Sequence, residues 1–305
     1  MKSFRKLMIL SISIMMRFLF VGCSTEAQEK VYEKSTLAKG FFWKATKGDD
    51  SIYLIGTMHP DKSNINYLNN TMEKVLNETD SLALEINFSD EKVQKTIEKL
   101  DEENTYLKSG ELKDLLTEPE QEKLEKILDS VDLNYNDVKN LTPKAVLSLI
   151  TAEIYARSGY TGTTSDMYLQ NIYNSNKKKI VSLETIEEQE KLTDLTTADL
   201  KDFIKVFNEK TIENDIKDIN KVMDAFIKSD SKFMEDRVEN QYKQDEEFYN
   251  KISKDRNIKM ANKIDKLAKE NDKYAVAVGT LHFFGKDSII KQLEDKGYKV
   301  TKLKS

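Results

Sequence analysis

The sequence predicts an α/β fold: a central, mostly parallel sheet with an N-terminal hairpin strand and large helical insertions. Three observations lead there. Short apolar runs recur along the chain (FFWKAT, SIYLIG, SLALEI, KIVSLE and YAVAVG), each bounded by charges or turn formers. The stretches between them place apolar residues at three- and four-residue steps, which describe one face of a helix. Only 3 Pro and 10 Gly punctuate 305 residues of which 33% are charged, and this favours solvated helices over a loop-rich all-β chain.

The amino end is read apart from the fold. MKSFRK supplies Lys2, Arg5 and Lys6, and an apolar run follows that is too short for a comfortable membrane span. Cys23, the single cysteine, comes directly after Val21-Gly22. Residues 1–22 therefore read as a lipoprotein-type signal peptide, and Cys23 as the lipidated residue at the new amino terminus. An uncleaved anchor or a free thiol are the alternatives. Residues 23–40 are polar and without period, a flexible tether, and the domain occupies 41–305. Loss of residues 1–22 removes four positive charges and no acids, taking the formal charge from −5 to −9. Such a body is repelled by anionic lipid, so the acyl chain would hold it to the membrane. The expected location is extracytoplasmic, lipid-anchored to a bacterial cell membrane. Charges fall in short mixed runs with no basic block, which argues against a nucleic-acid partner.

From residue 41 the elements follow in order. FFWKAT and SIYLIG flank the turn-like KGDD and make a β-hairpin. LNNTMEKVLNET (68–79) forms a helix that carries the chain to SLALEI (81–86), a βαβ crossover. Helices fill an insertion over about 90–175. Within it Thr142 caps a helix with Pro143 at its first position, and Ser158-Gly159 stops it. KIVSLE (179–184) is a further buried strand. Residues 197–228 carry one apolar stripe from Phe203 to Ile227, and a second runs from Phe233 to Tyr249. YAVAVG (274–279) is the last buried strand. SIIKQLEDKG is a helix ending at Gly297, and KGYKVTKL (296–303) gives a late edge strand.

Four of the apolar runs lead into a group that can do chemistry. SIYLI runs into Gly-Thr-Met-His59, SLAL into Glu85, KIVSL into Glu184, and YAVAV into Gly-Thr-Leu-His282. These are the chain's only two histidines, and each ends a near-copy of one tetrapeptide. Sites in open α/β sheets lie beyond the carboxyl ends of the strands, so parallel neighbours would bring all four side chains together. His59, His282 and Glu85 make a three-ligand set for a divalent ion, with zinc, manganese or cobalt suiting the donors. The glutamate not used as ligand could act as general base or hold an imidazole by its other nitrogen. Glu184 could instead assist the start of the following helix. Thr57 and Thr280 offer hydroxyls to the loop or to a substrate oxyanion.

These motifs resemble the TraB/PrgY/GumN family, which includes the Tiki-type proteases. The resemblance is carried by the paired Gly-x-x-His segments and by LALEI. It is extended by SDMYL around Asp166, VSLETIEEQ (181–189), DRNIKMANKI (255–264) and VAVGTLHFFG (276–285). It implies a divalent-metal-dependent, peptidase-like fold with His59, Glu85 and His282 at the site and Arg256 and Asn257 beside them. Arg256 would then bind a carbonyl oxygen or a peptide carboxylate, or else form a structural ion pair. Family functions range from trimming secreted signalling proteins to silencing peptide pheromones. The expected function is thus a surface-tethered, metal-dependent hydrolase acting on peptides or secreted proteins. The alternatives are a non-catalytic peptide- or pheromone-binding lipoprotein and an esterase using the same groups. The sequence has no Gly-x-Ser-x-Gly elbow, no HExxH and no nucleotide-binding glycine loop.

Overall fold

The computed structural model describes residues 36–305 except 60, 61, 63, 161–163 and 209. The expected signal peptide, Cys23 and the tether as far as residue 35 lie outside the described residues. The described chain forms two compact units. A helical unit gathers Glu91–Tyr160 and Ile186–Asn220, and a sheet unit gathers 36–90, 164–185 and 221–305.

The sheet unit holds six strands: β2 (Phe41–Lys47), β3 (Asp50–Thr57), β5 (Ser81–Leu84), β6 (Lys179–Ser182), β7 (Tyr274–Gly279) and β8 (Lys299–Lys302). Their order is β6-β5-β7-β3-β2-β8. Every pairing is parallel except the two made by β2, so β2 alone runs against the rest. The hairpin is the expected one. Its loop is Gly48-Asp49, and the positive φ of Gly48 at the first loop position matches a type II′ turn. A small separate pair joins β1 (Thr36–Leu37) to β4 (Ile65–Asn66). The last residues of the expected tether are therefore seated: Ala38 is buried, and Asn69 Nδ2 donates to the carbonyls of Ala38 and Lys39.

Strand alternation sorts the core. On one face Phe42, Tyr53, Ile55, Leu82, Leu84, Ala275 and Ala277 pack with Met72, Val75, Leu169 and Tyr173. The last four come from the helices Asn70–Glu78 and Ser165–Ser175. On β2 the alternate residues Phe41 and Trp43 join Phe283 and Phe284, with ring centroids 4.8–5.9 Å apart. β5 and β7 are buried along nearly their whole length, as centre strands must be. β6 departs from the expectation of a fully buried strand: it is the sheet edge, partly exposed until Leu183 and Glu184. The crossover after β3 reaches β5 by passing over the place that β7 later fills.

The helical unit has its own core, in which Leu124, Leu128, Val146, Leu147, Ile150, Leu200, Phe203 and Ile204 are buried. Thr142 Oγ1 accepts from Ala145 N–H ahead of the helix Pro143–Arg157. The insertion differs from the expected 90–175 in two ways. Its end belongs elsewhere, because the helix Ser165–Ser175 packs on the sheet. The unit also resumes at 186–220, so it interrupts the sheet twice. The single stripe read over 197–228 is two helices, Thr197–Val206 and Thr211–Lys228. Between them Asn208 N–H donates to Thr211 Oγ1 and Thr211 N–H to the Asn208 carbonyl, both at 2.9 Å. A break that keeps the apolar phase leaves no mark on a periodicity reading. The second stripe likewise breaks at Asp245, whose carboxylate accepts from Phe248 N–H. A π-helical turn, Asn250–Lys254, follows and leads into the helix Asp255–Leu267.

Candidate active site at the strand ends

β3 and β7 are parallel neighbours, with Gly56 opposite Val278 and Thr57 opposite Gly279. The two Gly-Thr-x-His segments thus leave the sheet side by side, offset by one residue. That adjacency accounts for the repeated tetrapeptide. Thr280 Oγ1 crosses to donate to the Thr57 carbonyl at 2.8 Å. A Cβ on Gly56 would stand 2.8 Å from Thr280 Oγ1 and 3.3 Å from Thr280 Cα, so a side chain there would push the strand ends apart. A Cβ on Gly279 would stand 3.2 Å from Glu85 Oε1. Both glycines serve close approach.

On the other flank of β7, pairing continues beyond the strands: Leu183 N–H donates to the Leu84 carbonyl and Glu184 N–H to the Glu85 carbonyl. Glu85 and Glu184 therefore end neighbouring strands, and both are buried. Arg256, in the first turn of Asp255–Leu267, lies between them. Its Nε donates to Glu184 Oε1 at 2.8 Å, and its Nη2 to Glu184 Oε2 at 2.6 Å and Glu85 Oε2 at 2.8 Å. Its Nη1 donates to the carbonyl of Ile252, within the π-helical turn. Glu85 Oε1 accepts Gly279 N–H at 2.7 Å. Burial favours a neutral Glu85, but Arg256, the two imidazoles and the Gly279 amide outweigh it and hold the carboxyl at about 2. Burial also opposes the charge on Arg256, and the two carboxylates overcome it and raise its pKa.

His282 is held in a defined state. Asn257 Nδ2 donates to the Asp287 carbonyl at 2.9 Å, which can only accept. Its Oδ1 is thereby turned to His282 Nδ1, 2.6 Å away, and that nitrogen carries the proton. Nε2 keeps its lone pair. Burial first, then Arg256 and His59, push the imidazole down to about 3, so the ring is neutral at physiological pH. Its Nε2 stands 3.9 Å from Glu85 Oε1, a contact of a neutral ring rather than an ion pair.

His59 is buried, and neither of its ring nitrogens has a hydrogen-bond partner among the described residues. Its Nε2 lies 3.6 Å from Asp166 Oδ2, which also has none. Asp166 Oδ1 accepts from Thr57 Oγ1 at 2.7 Å. Ser165 fixes the same step, since its Oγ accepts Met58 N–H at 2.7 Å and donates to the Met58 carbonyl. Burial pushes the Asp166 carboxyl up, against the pull of His59.

All of His59, Thr57, Glu85, Glu184, Arg256, Asn257, Thr280 and His282 thus fall in the sheet unit, at the carboxyl ends of β3, β5, β6 and β7 or on the helix behind them. Thr57 and Thr280 spend their hydroxyls on Asp166 and on the strand backbone, so neither offers a free donor to an oxyanion. Arg256 follows the ion-pair alternative, since its guanidinium is committed to two carboxylates. Both oxygens of Glu184 accept from Arg256. Ser165 and the Asp287 carbonyl were not singled out from sequence. Ser165 sits in Thr-Ser-Asp, a signal shared by any helix start, and a backbone carbonyl leaves no signal.

The donor types fit a divalent ion: a neutral imidazole with Nε2 unprotonated, and a second imidazole and a carboxylate oxygen that are both buried without hydrogen-bond partners among the described residues. Among the described residues no three His, Cys, Asp or Glu side chains yet stand at ion-enclosing distances. The expected set His59–Glu85–His282 is a neighbourhood within electrostatic reach of itself.

The protein is thus an α/β domain whose mostly parallel sheet carries acidic and imidazole groups at four adjacent strand ends. The chain belongs to the TraB/PrgY/gumN family, whose pattern it matches over residues 41–302. No curated protein and no solved structure matches it.

Proposed function

We propose that the protein is an extracytoplasmic, lipid-tethered hydrolase that uses a divalent metal ion to cleave peptide bonds in peptides or secreted proteins. The observation that carries this reading is the neutral His282 ring, oriented by Asn257, beside buried His59 and ionised Glu85. His59 and His282 would hold the ion, which supplies Lewis acidity at neutral pH when bound. Asn257 keeps His282 in the tautomer whose Nε2 can ligate. Glu85 Oε1 takes the proton of the water that attacks the carbonyl carbon. Glu85 then passes that proton to the leaving nitrogen as the C–N bond breaks. Arg256 keeps Glu85 and Glu184 ionised in a buried place where two carboxylates would otherwise repel. Thr57 and Thr280 lock the strand ends that carry the imidazoles.

The test is cleavage of a peptide library by the full chain, purified without a histidine tag. Activity should vanish on chelation, return with zinc, manganese or cobalt, and fall at least about 1,000-fold in His59→Ala and His282→Ala. Full activity after chelation or without either imidazole contradicts the mechanism. Chelation-insensitive binding of intact peptide would favour the non-catalytic alternative. In cells, Cys23→Ser should release the protein from the membrane fraction; unchanged membrane retention contradicts the lipid tether.

A further inference from the structure

Asp166 is the one carboxylate at the site that spends a single oxygen on the fold. Its Oδ1 takes the Thr57 hydroxyl at 2.7 Å, while Oδ2 is buried with no hydrogen-bond partner among the described residues. Facing that oxygen 3.6 Å away is His59 Nε2, which likewise has no hydrogen-bond partner among the described residues. A charge-assisted N–H···O bond closes to about 2.7–2.9 Å, so these two atoms are not bonded to each other. Buried polar atoms left in this way lose their hydration without compensation, and two facing each other is not how a fold settles a structural pair. Two ligands each about 2.0–2.2 Å from one tetrahedral ion stand roughly 3.4 Å apart, close to the spacing seen.

The backbone supports the pairing. Met58 N–H donates to Ser165 Oγ, and Ser165 N–H to the Met58 carbonyl, so Asp166 is hung from the very step that carries His59. Glu85 is the contrast: Oε1 already takes Gly279 N–H, and Oε2 takes Arg256 Nη2. Its position is fixed by Arg256 rather than left to a ligand.

We infer that Asp166 is a metal ligand, paired with His59 and completed by His282, and that Glu85 stays out of the inner sphere to move protons. This rests on the metal-dependent reading above and revises which carboxylate serves the ion.

The experiment titrates metal-stripped full chain with Zn²⁺ and Co²⁺ against a chromophoric chelator. Asp166→Asn retains an oxygen for Thr57 and replaces Oδ2 by an amide NH₂ that cannot ligate, so a purely positional role predicts no change. The expected result is one ion per wild-type chain, at least about 100-fold weaker binding in Asp166→Asn, and less than 10-fold loss in Glu85→Gln. Binding by Asp166→Asn within twofold of wild type overturns the inference and leaves the metal reading standing. No binding by wild type overturns both. Asp166→Cys gives a check that does not depend on the folding of the Asn variant. Made in a Cys23→Ser background, its Co²⁺ complex should show an intense thiolate-to-cobalt charge-transfer band that Cys23→Ser alone does not. A folded Asp166→Cys that binds cobalt without that band overturns the inference.

Discussion

Asn257 decides what His282 can do. A neutral imidazole has two tautomers, and the amide, held by the Asp287 carbonyl, selects the one with Nδ1 protonated. Asn257→Leu removes the acceptor at similar volume. Metal affinity should fall about 10–100-fold, the usual cost of losing such a partner, with circular dichroism unchanged; unaltered affinity would mean that packing alone orients the ring. The same residues set an acid sensitivity in the metal-free protein. His282 lies at about 3 in the fold against 6.5 ordinarily, so the unfolded chain takes up the proton first as pH falls. Stability is full above about 6.5 and declines toward 3. Glu85, at about 2 against 4.5, adds a second decline from 4.5 downward. Asp166 has its pKa raised and works in the opposite sense, softening the loss. Between pH 6.5 and 4.5 the His282 contribution is on the order of 3 kcal/mol, at 1.36 kcal/mol per pH unit. Urea midpoints should therefore fall across that window in wild type and stay much flatter in His282→Gln. Parallel curves would refute the assignment. Both histidines and both glutamates were legible because each followed an apolar run. Asp166 was legible only as a loose motif, since nothing local distinguishes it from a first-turn acid that favours a helix start.

At the scale of elements, the site depends on β3 and β7 ending together. Gly56→Ala places a methyl 2.8 Å from Thr280 Oγ1 and 3.2 Å from Phe41 Cβ, where neither strand can yield cheaply. It should destabilise the protein by about 1–3 kcal/mol and weaken metal binding through the displaced imidazoles. Denaturant unfolding with a parallel metal titration checks both, and wild-type values in each would show that the strand ends tolerate separation. The strands were readable because buried β segments are short, apolar and bounded by charge. Three features were not. The break at Asn208 keeps helical phase, so Phe203, Phe207, Ile212 and Ile216 read as one stripe. The π-helical turn at Asn250–Lys254, which delivers the Ile252 carbonyl to Arg256, has no composition of its own. The edge position of KIVS follows from which strand pairs with which, and a strand's own residues do not state its neighbours.

At the scale of the whole molecule, four parallel strand ends from distant parts of the chain supply the site, while the helical unit contributes none of the residues considered above. The fold class and the strand set could be read because period and length constrain them. The double interruption by helices could not, since charge and amphipathicity look alike in either unit. The central claim is that one ion is shared by His59 and His282. The most direct measurement is anomalous diffraction at the zinc edge from crystals of the full chain soaked in Zn²⁺. The account predicts a single strong peak within bonding distance of His59 Nε2 and His282 Nε2, with Asp166 Oδ2 as a third ligand. A peak elsewhere, or separate ions at the two imidazoles, would contradict it.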